Sequence, residues 1–184
     1  MIDPKIYQIL FPIKKKTIDK IKKNLNTDLT KLNIIKAAVP KLNVYGTFER
    51  TFSSCLGHGL QEVSSKCGKN VINIDIQEQK TLGIDIRTSF GECQMKLNKN
   101  TQTGTHAKDS LNKLIKTTKE NGTNPVFVTA LGDSHEILKD GVLYIGGKNF
   151  WEKIGMNYDD VYDTIIKLVQ ETYEEVERTI IPTV

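Results

Sequence analysis

The spacing of apolar side chains changes several times along the chain. From Thr17 to Ala38, Ile18, Ile21, Leu25, Leu29, Leu32 and Ile35 recur every three to four residues, as in an amphipathic helix. Asn24, Asn26 and Thr27 can divide this helix in two, and Pro40 is expected to end it. Phe48, Phe52, Leu56, Leu60 and Val63 keep helical spacing from Thr47 to Cys67, weakened by Gly57 and Gly59 and stopped by Gly68. The period then falls to two. Val71 to Gln77 alternates, with Ile72, Ile74 and Ile76 on one face and Asn73, Asp75 and Gln77 on the other. Leu82 to Arg87 reads as a second strand and Glu92 to Leu97 as a third. The links are short, so a meander of antiparallel strands is expected.

Helical spacing returns over residues 107–120, where Ala107, Leu111, Leu114 and Ile115 share a side. Pro125 to Leu131 is apolar without a break, the mark of a buried strand. Val142 to Ile145 is a shorter strand. Asp159 to Arg178 is a last long helix with a stripe of Val161, Ile165, Leu168, Val169, Thr172 and Val176. Phe150 and Trp151 look like core anchors that fasten this helix. The order predicts an α/β fold, a mixed central β-sheet flanked by helices. One domain of 184 residues is expected, with a basic helical part over 1–45, a core over 46–155 and a terminal helix over 156–184.

Composition narrows the classes. At 38% hydrophobic and 26% charged residues there is enough apolar material for a core. No apolar run suits a membrane span, and the N-terminus lacks the pattern of a secretory signal. Cys55, Cys67 and Cys93 are odd in number and form no CxxC, so a cytoplasmic location is the expectation. Charge is uneven. Residues 1–50 carry 11 basic and 4 acidic side chains (+7), whereas residues 151–184 carry 3 and 8 (−5). Lys14, Lys15, Lys16, Lys20, Lys22 and Lys23 could meet a polyanion such as a duplex backbone, or be solvated helix faces.

The candidate chemistry sits on the second and third strands. Period two puts Glu92, Gln94 and Lys96 on one face and Cys93 and Met95 on the other. Asp85 lies between Ile84 and Ile86, and a hairpin would bring it beside the first group. Two carboxylates, an amide and an ammonium suit a hard divalent cation such as Mg²⁺, with water and a substrate phosphate completing its shell. A solvated edge carrying weak surface pairs would show the same spacing. Asp75 could be a spare ligand. His58, His106 and His135 are too scattered for a histidine metal site. Cys55 and Cys93 read as core thiols.

Asp85 followed by Gln94-x-Lys96, or by Glu92-x-Gln94, resembles the PD-(D/E)xK nuclease superfamily, which pairs an Asp on one strand with an acid-x-Lys on its hairpin partner. Some type II restriction endonucleases of that superfamily carry Gln in place of the second acid. The run Lys96-Leu97-Asn98-Lys99-Asn100-Thr101-Gln102-Thr103-Gly104-Thr105-His106 is similar to the Asn-Thr loop after their catalytic lysine. Gly146-Gly147-Lys148-Asn149-Phe150-Trp151-Glu152-Lys153-Ile154-Gly155 is similar to a Gly-x-x-Phe-Trp-x-x-Ile-Gly segment near their end. The resemblance covers roughly residues 60–155. It departs from the pattern before Asp85, where Gly83-Ile84 stands and no Pro precedes.

The resemblance implies an αβββαβ core and Mg²⁺-dependent, site-specific cleavage of double-stranded DNA. It also implies a cognate DNA methyltransferase in the same system, and a homodimer is possible. Asp85 becomes a metal ligand, Lys96 the catalytic lysine, and either Glu92 or Gln94 the second ligand. Glu62 matches an outer-shell acid on the helix before the meander. Asn98, Lys99, Asn100, Gln102, Thr103 and His106 become DNA contacts. The alternatives are a DNA repair or junction-resolving nuclease of the same superfamily, and a DNA-binding protein with a decayed nuclease site.

Overall fold

The structure is a computed structural model, and it describes residues 2–25, 40–74, 83–98 and 105–181. Its elements in chain order are α1 (Pro4–Leu10), α2 (Pro12–Leu25), α3 (Pro40–Cys67), β1 (Ile72–Asn73), β2 (Ile86–Thr88), β3 (Gly91–Lys96), α4 (Thr105–Asn121), β4 (Pro125–Thr129), β5 (His135–Lys139), β6 (Val142–Gly146), α5 (Lys148–Lys153) and α6 (Tyr158–Thr179). The strands form one mixed sheet in the order β1-β2-β3-β4-β6-β5. β1, β2 and β3 are an antiparallel meander, α4 carries the chain over to β4, parallel to β3, and β5 and β6 make an antiparallel hairpin. The expected α/β class and the αβββαβ order are both present.

Local chemistry sets the helix ends. Asp3 caps α1 by accepting from the backbone N–H of Lys5 at 2.7 Å and of Ile6 at 3.1 Å, with Pro4 at the first helical position. Asn157 caps α6 in the same way, and Asp159 and Asp160 complement the dipole of its first turn. Pro40 opens α3 rather than ending the helix before it. Its missing N–H and fixed φ cost nothing at a first helical position. Residues 26–39, the second half of the helix expected from Thr17 to Ala38, lie outside the described residues.

The core lies on one face of the sheet. Ile86, Cys93, Met95, Val126, Val128 and Ile145 pack there against Leu10, Phe52, Leu60, Val63, Ile165 and Leu168 from the helices. Phe150 and Trp151 are fully buried in this cluster, and the Trp151 indole N–H donates to the Ala130 carbonyl at 2.7 Å. On the other face α4 covers Ile74 and Ile84 with Leu114. The result is helix, sheet, helix. Ile72 corrects the reading of the first strand. It is 40% exposed while Asn73 is buried, and only Ile72 and Asn73 pair with β2. The strand β5 was not expected, since His135 to Lys139 does not alternate cleanly and is mostly exposed. Among the described residues no helix is long and apolar enough to cross a membrane.

Candidate active site

The site begins with a tight turn. Ser89 and Phe90 link β2 to β3, so that Thr88 pairs with Gly91, Arg87 with Glu92 and Ile86 with Cys93. Gly91 has a φ of +153°, and a Cβ there would lie 2.4 Å from the Asn124 carbonyl oxygen. Glycine therefore lets β3 start hard against the approach to β4.

This register sends Asp85 towards the Gln94–Lys96 stretch. Beyond Ile86 the ladder departs from regular pairing: the Asp85 N–H donates to the Cys93 carbonyl at 2.8 Å. The Met95 N–H donates to Oδ2 of Asp85 at 2.7 Å. A side-chain carboxylate has taken the place of a backbone acceptor, and it lies between Gln94 and Lys96.

Glu92 is engaged elsewhere. Its carboxylate is fully buried. Arg87 donates to Oε1 through Nε at 3.0 Å and Nη2 at 2.8 Å. Asn121 and Thr123 donate to Oε2 at 2.9 and 3.0 Å. Burial disfavours the charge, but the donors from Asn121, Arg87 and Thr123 outweigh it and hold the carboxyl below its ordinary value. Every face of this group is used in tying β2, β3 and the α4–β4 link together.

Gln94 is also buried, at 4% exposure, and its Oε1 has no hydrogen-bond partner among the described residues. An orphaned buried acceptor is uncommon and calls for a reason. Lys96 is half-buried, and its ammonium meets no partner among the described residues. The polar face of β3 is therefore not a solvated edge: α4 lies over it, and β3 is central in the sheet. Cys93 faces the core as expected, where burial pushes its thiol up to about 12.

The structure gathers Asp85, Glu92, Gln94 and Lys96 on one hairpin, and leaves Glu62 apart. Glu62 pairs with Lys66 at 2.6 Å and lines a cleft of about 670 Å³ between α3 and the first two helices, on the core side of the sheet. Asn98 is exposed just after β3. Lys99, Asn100, Gln102 and Thr103 lie outside the described residues, as does Asp75, and His106 falls in the first turn of α4. In the basic N-terminal part, Lys14 is ion-paired with Glu175 of α6 at 2.9 Å, so the acidic terminal helix neutralises some of that charge internally. Lys15, Lys16, Lys20 and Lys22 are exposed.

Arg87, Asn121 and Thr123 were missed from sequence. The signal for Arg87 was available: a two-residue turn at Ser89-Phe90 fixes it opposite Glu92. Nothing local marks Asn121 and Thr123, which arrive from the far side of α4.

The donor set can be weighed for a cation. No group of three or more His, Cys, Asp or Glu gathers among the described residues. Asp85 offers one carboxylate and Gln94 a neutral oxygen that lacks a donor. This fits Mg²⁺, which is commonly held by one or two protein oxygens and otherwise by water and phosphate. It does not suit a softer metal that needs His or Cys. No family model matches the chain, and no characterised protein matches it in sequence.

Proposed function

We propose that the chain is a Mg²⁺-dependent endodeoxyribonuclease of the PD-(D/E)xK kind, acting as a type II restriction endonuclease on double-stranded DNA. One observation carries the reading. On an αβββαβ core, the Asp85 carboxylate meets the third strand between Gln94 and Lys96, whose side-chain oxygen and ammonium find no partner among the described residues. Asp85 and Gln94 would hold the cation, and Glu92 is a positioning residue, since its lone pairs are already used. Bound there, Mg²⁺ supplies charge stabilisation at the phosphate and lowers the pKa of a bound water.

The chain's own residues do the rest. In hydrolysis a water oxygen bonds to phosphorus and the bond to the leaving 3′ oxygen breaks; the water gives up a proton and the leaving oxygen gains one. In this reading the Lys96 ammonium orients the water and offsets negative charge on the phosphate. Asp85 is held in place by the Met95 N–H, so little reorganisation is needed when phosphate arrives. A homodimer and a partner methyltransferase belong to the same proposal.

The test is plasmid cleavage with Mg²⁺ and with EDTA. The parent should give discrete fragments with Mg²⁺ only. Asp85→Ala should abolish cutting, Lys96→Ala should slow it by ~10²-fold or more, and Gln94→Glu should retain it. An Asp85→Ala protein that cuts at the parent rate removes the site. A smear from any DNA points to a repair nuclease. Gln94, standing where the superfamily's pattern has a second acid, favours a second reading, a DNA-binding protein whose hydrolytic site has decayed; binding without cleavage by the parent would select it.

A further inference from the structure

The face of the sheet that carries Gln94 and Lys96 continues past α4 onto β4, β6 and β5. Phe127 pairs in register with Gln94, and Thr129 with Lys96. Tyr144 follows on β6 beside Phe127, and Ile137 on β5 beside Tyr144. Together with His135 and Lys139 these residues line a cleft of about 450 Å³, within the range of ligand sites, about 300–1,000 Å³. It starts one strand spacing from the candidate active site, about 4.8 Å.

The cleft is built, not merely left over. The rings of Phe127 and Tyr144 lie 5.8 Å apart at 42°, forming an aromatic floor. Gly146 has no side chain, and the His135 ring occupies the space: a Cβ there would fall 2.4 Å from Cε1 of His135 and 2.0 Å from the Thr129 hydroxyl. Nδ1 of His135 is 2.9 Å from the Asp133 carbonyl, which can only accept, so Nδ1 carries a proton. Nε2 then faces Thr129 Oγ1 at 3.5 Å. Lys139 stands exposed at the rim, and Lys96 closes the row on the other side.

We propose that this cleft takes an unstacked nucleotide of a DNA strand beside the candidate cleavage site, with the base on Phe127 and Tyr144 and a flanking phosphate on Lys139. The inference rests on the DNA-directed reading above and adds a nucleotide subsite to it. Charge complementarity selects this occupant: an aromatic floor bordered by the Lys139 and Lys96 ammonium groups matches a base and its phosphates, and stacking is indifferent to base identity. A second copy of the chain would instead meet Ile137 and Leu138 on an edge strand that carries Glu136 and Lys139, charges that discourage strand pairing.

The full chain in EDTA is titrated with a short single-stranded DNA carrying 2-aminopurine, and with the same strand as a duplex, following anisotropy and quenching. Tyr144→Leu should weaken single-strand binding by about fivefold to a hundredfold and relieve quenching, and Tyr144→Trp should restore both. Lys139→Ala alters an exposed residue and should keep the parent's melting temperature. It should lower the slope of log affinity against log salt by about 0.7. Parent-like binding by both Lys139→Ala and Tyr144→Leu overturns the inference. So does an Ile137→Asp variant that dissolves a dimer with DNA affinity unchanged. Cleavage by the parent, measured separately, keeps the two proposals apart. A parent that binds through the cleft but never cuts loses the nuclease reading alone. A parent that cuts while the cleft variants bind as it does loses the subsite alone.

Discussion

Glu92→Gln separates a positioning residue from a metal ligand. The substitution keeps shape and replaces one acceptor oxygen by an NH₂ donor. Four donors converge on the native carboxylate, two on each oxygen. Whichever oxygen is replaced, two hydrogen bonds are lost and donors face donors. At about 0.5–1.5 kcal/mol for a neutral bond and about 1.5–3 for a charged one, the expected loss is about 2–4 kcal/mol. The Arg87 side chain, 38% exposed, can turn to water, which keeps the figure below the cost of stranding a fully buried charge. For a chain of this size the melting temperature should fall by about 4–16 °C. The loss has a pH signature. The folded carboxyl titrates below its ordinary value, so its contribution is complete above the unfolded value, about 4.3. It disappears as pH falls through the lower folded value. Thermal melts of parent and variant should therefore converge in acid. A metal ligand behaves oppositely, because removing a repulsive acid leaves stability unchanged or raised while cleavage is lost. A Glu92→Gln protein that melts within about 2 °C of the parent at neutral pH and has lost cleavage would refute the positioning role.

Two further predictions concern stability. A hydrogen bond to Glu171, then burial, raise the Tyr7 phenol to about 12, and a hydrogen bond to Glu177, then burial, do the same for Tyr45. Their stabilising contribution is complete below the ordinary value of 10.0 and is lost as pH rises towards 12. The double variant Tyr7→Phe/Tyr45→Phe should show a flatter alkaline melting curve, and an unchanged curve would remove the linkage. Gly146→Ala forces a methyl against Thr129 and His135, with an overpacking cost of about 1–3 kcal/mol. A variant as stable as the parent in urea would mean that the His135 ring does not fill that space.

The parts of the fold that were legible in sequence are those where one physical signal dominates. Periodicity marked α4 and α6 to within a few residues, and the unbroken apolar run from Pro125 marked β4 as buried between parallel neighbours. Where two signals competed, the outcome turned on packing that no local pattern carries. Pro40 reads equally as the end of one helix or the start of the next, and the structure takes the second. Ile72 alternates correctly for a core position, yet the paired stretch is two residues long and Asn73 takes the buried place. The short Pro4–Leu10 helix escaped notice because Asp3 and Pro4, a cap and a first position, precede too few apolar repeats to stand out.

The site follows the same logic one level up. Spacing put Glu92, Gln94 and Lys96 on one face, and could not rank them. The ranking comes from the turn at Ser89-Phe90. Two residues in that turn make positions that sum to 179 meet across the hairpin, so Arg87 falls on Glu92. A turn one residue longer would shift this pairing and leave Glu92 opposite Thr88. Arg87 would then lose its carboxylate partner. With the observed register, charge neutralisation is completed at the turn end of the hairpin, where β2 and β3 pair regularly. The pairing breaks at Asp85, whose side chain substitutes for a backbone acceptor, and the buried acceptor without a donor, on Gln94, lies beside that break. A cation or a phosphate-bound water is the kind of group that could satisfy Gln94 there, because the protein donors near Glu92 are already spent on Glu92 itself.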